Sequence, residues 1–151
     1  MTSETTELPS ASLLLVDDTP ANLVALEAIL SGLNYRLVTA TSGPEGLEKL
    51  AVEDFALILS DILMPEMDGF QFAKRVRSSP RGHATPIIFL TASTHSDVLA
   101  TKAYLSGAIE FLVKPLDADV VRAKVAAVVW RHLPKKPFAE QPHPVDTGLS
   151  T

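Results

Sequence analysis

Five largely apolar runs recur along the chain, and each gives way to polar or turn-forming residues: Ala11–Val16, Tyr35–Ala40, Phe55–Leu59, Pro86–Leu90 and Ile109–Val113. Runs this short and continuous predict strands buried on both faces, as in a parallel sheet. The segments between them carry the helical period. Leu23, Leu26, Ile29, Leu30 and Leu33 mark one helix, Leu47 and Leu50 a shorter one, and Phe72, Ala73 and Val76 the buried face of a third over Gly69–Ser78. Two more helices are predicted over Asp97–Ser106 and Asp119–His132. Thr19 is expected to cap the first helix, with Pro20 at its first position and Gly32 as its stop. Ser42 and Glu45 have capping-box spacing around Pro44. Met64-Pro65 delays the third helix, because proline biases the residue before it away from helix, and Asp68 then caps that helix. Ser79–Thr85 reads as a loop, Gly107 as a stop, and Asp117 as the last cap.

Strand and helix alternate five times, which predicts an α/β fold built on a doubly wound, five-stranded parallel sheet. Right-handed crossovers leave few strand orders. The expected one is 2-1-3-4-5, a flavodoxin-like (βα)5 sandwich. A single domain over residues 11–133 accounts for all of these elements. Residues 1–10 hold almost nothing apolar and are expected to form a flexible N-terminal tail. Pro134, Pro137, Pro142 and Pro144 crowd residues 134–151, which are expected to be an extended tail or linker.

Composition narrows the chemistry. At 151 residues, 46% hydrophobic and 21% charged, the chain suits one domain with a substantial core. The absence of cysteine removes disulfides, thiolate nucleophiles and zinc–thiolate sites. A net charge of −5 argues against a sequence-independent hold on nucleic acid. No apolar run approaches a membrane span and no signal-peptide pattern opens the chain, so the cytoplasm is the expected location. His83, His95, His132 and His143 lack metal-ligand spacing and read as surface residues. Lys74, Arg75 and Arg77 read as a solvated helix face.

In the order 2-1-3-4-5 the first and third strands end side by side, at the switch point where open α/β sheets bind ligands. Asp17 and Asp18 follow the first strand, and Asp61 is expected just past the third. Two carboxylates about 4 Å apart repel by roughly 4 kcal/mol at an effective dielectric near 20, so either a proton or a cation must join them. Oxygen donors in a partly open site suit Mg²⁺, with Mn²⁺ the alternative. A carboxylate beside such a cation can attack phosphorus and form an acyl phosphate. Lys114 and Thr91, at the ends of the fifth and fourth strands, are placed to neutralise phosphoryl oxygens. Each residue alone has a blander reading. Asp17 and Asp18 suit helix caps, Asp61 suits backbone donors, Thr91 a local backbone bond and Lys114 solvent. Their shared position on one sheet edge is the stronger signal.

Leu-Leu-Val-Asp-Asp, Asp-Ile-Leu-Met-Pro-Glu-Met-Asp-Gly, Phe-Leu-Thr-Ala and Gly-Ala-Ile-Glu-Phe-Leu-Val-Lys-Pro occur in that order, and together they resemble the receiver domain of two-component response regulators. The match covers about Ser12 to Leu133. The resemblance implies that Asp61 is a phosphoacceptor, served by a histidine kinase or a histidine phosphotransfer protein. It implies that Asp18, Asp61 and the Leu63 backbone carbonyl ligate Mg²⁺, with Asp17 assisting through water. Thr91 and Lys114 would hold the phosphoryl oxygens. Phe111 stands at the family's switch-aromatic position, moving inward with Thr91, and as Phe it signals by burial alone. The Lys114-Pro115 bond is usually cis in this family. Leu63 and Ser93 stand at the positions that help place the hydrolytic water; neither is suited to it, so a long-lived phosphoryl group is expected.

The reading is thus a switch that acts on a downstream protein partner, with no catalytic turnover beyond its own phosphorylation and dephosphorylation, no direct nucleic-acid binding and no membrane association. The last helix, with Val-Val-Arg-Ala-Lys-Val, resembles receivers attached to larger sensor kinases, so a receiver piece of a hybrid kinase or multidomain regulator is the alternative. A haloacid dehalogenase-type phosphatase is the rival enzyme. That class places a second Asp two residues after its nucleophile, where this chain has Thr19 after Asp17.

Overall fold

The computed structural model describes residues 11–92 and 110–132. In chain order these form β1 (Ala11–Val16), α1 (Pro20–Leu30), β2 (Tyr35–Ala40), α2 (Gly43–Val52), β3 (Leu57–Asp61), α3 (Gly69–Arg77), β4 (Ile87–Thr91), β5 (Glu110–Val113) and α4 (Ala118–His132). The five strands make one parallel sheet in the order β2-β1-β3-β4-β5, as the alternation predicts. Among the described residues no helix is long and apolar enough to cross a membrane. The expected tails at 1–10 and 134–151, the helix at 97–106 with its stop at Gly107, and Ser93, His95 and His143 lie outside the described residues.

Side chains alternate across each strand, and both faces are covered. Leu13, Leu15, Leu57, Leu59, Ile88 and Leu90 meet α1 and α4 on one face. Leu14, Val16, Ile58, Ile87 and Phe89 meet α2 and α3 on the other. This double burial is why the central strands β1, β3 and β4 read as largely apolar runs rather than as alternating ones. It also means that a one-residue slip in register would leave apolar groups facing both helical layers. The register therefore depends on the polar residues at the strand ends, Asp17, Asp61 and Thr91, which must reach the sheet edge.

Several boundaries differ from the sequence reading. Asp61 and Thr91 are the last residues of β3 and β4 rather than the first beyond them. Parallel pairing with Leu90 carries Asp61 in the ladder, and its side chain lies buried at the sheet's edge. Phe55 is buried but precedes β3. Thr19 occupies the cap of α1, yet its side chain makes no capping bond; its carbonyl accepts the Asn22 N–H at 2.9 Å. At α2 the Ser42 hydroxyl accepts the Glu45 N–H at 3.1 Å, but the Glu45 carboxylate returns to the N–H of Thr41 at 2.7 Å rather than to Ser42. Asp68 does cap α3, accepting the Gln71 N–H at 2.8 Å, while the Gln71 side chain accepts the Asp68 N–H at 2.9 Å. Arg77 departs from the solvated face expected of it. Its guanidinium donates to the carbonyls of Gly82 and Thr85 at 2.9 and 2.7 Å, which ties the loop after α3. Asp117 caps α4 through the Val120 N–H at 3.1 Å.

Gly69 closes the loop beneath Asp61. Its N–H donates to the Ile62 carbonyl at 2.8 Å, and a Cβ there would sit 2.5 Å from the Asp61 carbonyl oxygen and 2.8 Å from Ile62 Cα. Both obstacles are backbone and cannot swing away. Gly69→Ala is therefore expected to destabilise the chain by about 1–3 kcal/mol, the usual scale of overpacking. Urea unfolding checks this: the midpoint should fall with the slope unchanged.

Candidate functional site

The carboxyl ends of β1 and β3 bring Asp17, Asp18 and Asp61 together, with one carboxylate oxygen of each lying within 4.8 Å of the others. Asp17 is wholly buried, Asp61 is buried and Asp18 is half-buried. Lys114, directly after β5, reaches back across β4. Its ammonium stands 3.2 Å from Asp61 Oδ1 and 3.6 Å from Asp17 Oδ2. The Lys114 N–H donates to the Thr91 carbonyl at 2.8 Å, which anchors the backbone from which the side chain reaches; the Lys114-Pro115 bond is cis. The four charged groups singled out in the sequence thus converge.

The cluster is under electrostatic tension. Burial, and after it the neighbouring Asp17 carboxylate, raise the Asp61 carboxyl above its ordinary range; Lys114 opposes them and Asp18 adds to them. Three carboxylates share one lysine, all the donors are hard oxygen, and Asp18 keeps the site open to solvent. This donor set and its excess negative charge fit a divalent cation such as Mg²⁺.

The remaining candidates lie close by. Thr91 is buried at the end of β4, one residue past Leu90, the register partner of Asp61. Phe111 pairs in register with Phe89 and Val113 with Thr91, so by strand alternation Thr91 and Phe111 share one face of the sheet. Phe111 is half-buried against the cluster formed with α2 and α3. Leu63, two residues beyond Asp61, is 75% exposed, whereas its neighbours Ile62 and Met64 are buried. Beside Asp17 and Lys114 a cleft of about 300 Å³ opens between Ala25, Leu26 and Ile29 of α1 and Pro115 and Leu116.

Two contributors escaped the sequence reading. Asn22, the third residue of α1, places its amide nitrogen 3.2 Å from both oxygens of Asp17. Its only signal is its place in the first turn after the acidic pair. Gly69 was legible as a turn residue, but not as the residue that lets the loop pass under Asp61.

Residues 13–126 match the model of the response regulator receiver domain. The chain is 35% identical over 131 residues to the transcriptional regulatory protein ZraR of Klebsiella oxytoca, covering 86% of this chain and 29% of that one. Among solved structures it resembles the chemotaxis protein CheY4 of Vibrio cholerae, with a TM-score of 0.74 and 34% identity, covering 78% of this chain and 98% of that one. It also resembles the receiver domain of the sensor histidine kinase PA1611 from Pseudomonas aeruginosa PAO1, a structure with a magnesium ion coordinated in the active-site cleft. There the TM-score is 0.69 and the identity 28%, covering 81% of this chain and 96% of that one. The chain belongs to the response regulator receiver domain family. It spans 24% to 52% of the length of the first curated relatives it matches.

A raised carboxyl pKa has a consequence for stability. The folded chain holds the Asp61 proton more tightly than the unfolded chain does, so this group's contribution is present at low pH and is lost as the pH rises through the carboxylate range. With a chelator present, Asp61→Asn is expected to raise the melting temperature at neutral pH, by roughly 2–4 °C per kcal/mol relieved. The gain should vanish below about pH 3, where free aspartate is itself protonated. Calorimetry across this range checks both the sign and the window.

Proposed function

We propose that the domain, taken as residues 11–133, is a phosphorylation-controlled binding switch whose acceptor is Asp61. The observation that carries this is the placement of Asp61 at the switch point, buried beside two further carboxylates and 3.2 Å from the Lys114 ammonium. A carboxylate so placed is poised to attack, and Lys114 stands where charge develops on the phosphoryl oxygens. The donor is a phosphohistidine on a kinase or phosphotransfer protein. An Asp61 oxygen bonds to phosphorus, the phosphorus–nitrogen bond breaks, and the departing imidazole takes up a proton. The apolar cleft between α1 and Leu116 gives the donor protein a surface against which to seat its histidine. Mg²⁺, held by Asp18, Asp61 and the Leu63 carbonyl with Asp17 assisting through water, would supply positive charge against the carboxylates and the incoming phosphoryl group.

Thr91 and Phe111 form the output arm. Their common face of the sheet lets a movement of the Thr91 hydroxyl toward phosphate open room for the half-buried Phe111 ring. A downstream protein then reads the changed surface. The regulators among the relatives are longer than this chain, so an attached output or kinase portion is equally compatible with the site. No phosphatase turnover is expected. Labelling should be stoichiometric, and a generic phosphomonoester should not be consumed.

Incubation with acetyl phosphate and Mg²⁺ tests the assignment. The wild-type chain should gain one phosphoryl group by mass spectrometry, and Asp61→Ala should gain none; persistent stoichiometric labelling of that variant would sink the reading.

The label should also be long-lived. The exposed Leu63 side chain has neither donor nor acceptor with which to orient a water in line with phosphorus. Leu63→Asn is expected to speed the loss of the phosphoryl group several-fold, below the about 10²–10⁴-fold that a full general base contributes. Decay followed after donor removal, with Mg²⁺ present, decides this, and an unchanged rate would show that this side chain does not set the lifetime.

A further inference from the structure

Asn22 has no part in the reading above, yet it makes two close contacts with the most deeply buried acid of the site. It is the third residue of α1, and a side chain there leans back over the start of its helix. The Thr19 carbonyl fixes its backbone by accepting its N–H at 2.9 Å. The amide nitrogen then lies 3.2 Å from both Oδ1 and Oδ2 of Asp17. An amide oxygen in that place would face a carboxylate that only accepts, so it is the NH₂ group that points there. Asp17 also accepts the Thr19 N–H at 2.9 Å and has the Lys114 ammonium at 3.6 Å.

Two buried carboxylates thus compete for one lysine. A buried carboxylate short of donors draws the nearest cation to itself. Lys114 nevertheless stands nearer to Asp61, at 3.2 Å, than to Asp17, although Asp17 is the more buried of the two. The difference lies in the local donors: the single Asn22 amide lies against both oxygens of Asp17, and the Thr19 N–H reaches Oδ1 besides. We propose that Asn22 is a positioning residue of the phosphoacceptor site. By satisfying Asp17 it leaves Lys114 held at Asp61, where the phosphoryl oxygens arrive. The proposal rests on the phosphoacceptor reading of Asp61. Were Asn22 only a brace for the start of α1, its loss would lower the melting temperature and leave the labelling rate of the folded chain untouched.

The test compares the wild-type chain with Asn22→Ala and with the isosteric Asn22→Asp, which keeps the shape but cannot donate. Acetyl phosphate is the donor, at saturating Mg²⁺. The maximal labelling rate of Asn22→Ala is expected to fall roughly tenfold, the scale of one lost charge-assisted hydrogen bond, while the donor concentration for half-maximal rate stays put. Asn22→Asp should fall further, because it adds a fourth carboxylate that attracts Lys114. Independently of labelling, the ¹H–¹⁵N correlation of the Lys114 ammonium in divalent-free buffer should shift in both variants. A wild-type maximal rate in either folded variant, or an unmoved Lys114 signal, overturns the proposal alone, since the wild-type chain would still be labelled at Asp61. Failure of the wild-type chain to label overturns the phosphoacceptor reading and this proposal with it.

Discussion

Negative charge brought out of water at the end of a sheet is the constraint on which this structure turns. The interiors of β1 and β3 carry no charged group, and their acids emerge only at the carboxyl ends. There Asp17 and Asp61 meet Asp18, and their mutual repulsion is only partly relieved by Lys114. Much of the nearby backbone is arranged around this cluster. The opening of α1 turns donors toward Asp17, the loop after β3 passes beneath Asp61 through Gly69, and the end of β4 carries the amide of Lys114. A site with spare negative charge and open access has a built-in appetite for cations. Membership of the receiver domain family places this arrangement among signalling proteins.

The order of elements was legible because the central strands are covered on both sides, which leaves a nearly unbroken apolar run with a polar end. The same polar ends marked the candidate site, since Asp17, Asp61 and Lys114 can be acceptably placed only at the sheet edge. Other features did not follow from the sequence, because they depend on distances between segments. That Asp61 and Thr91 close their strands rather than follow them depends on pairing with β4 and β5. The return of Glu45 to Thr41, one residue short of a capping box, depends on how the chain enters α2. Asn22 carries no motif of its own, and its contact with Asp17 exists only because α1 begins directly over the acidic pair. Arg77 looked like part of a solvated basic face, yet loop carbonyls provided partners that the helical pattern could not reveal.

The two faces of the sheet carry different burdens. On the side of α2 and α3 the packing includes Phe72 and Phe89, and the ring of Phe70 meets Phe89 edge-on at 5.2 Å. On the side of α1 and α4 its buried members are Leu, Ile and Val, with Tyr35 at the margin, and it borders the cleft beside Lys114. Aromatic rings concentrate on the face that holds Phe111, while the aliphatic face borders the mouth of the site. The cleft and Phe111 therefore fall on opposite layers of one sheet.

Lys114 also acts along the sheet. β5 is a short strand at the end of the described sheet, beside β4, yet its following lysine reaches over β4 to the carboxylate that ends β3. The ion pair is a strut thrown across an intervening strand, joining the rim of the sheet to its middle. The charge on Asp61 thus sets the tension in a strut anchored at the rim, two strands away.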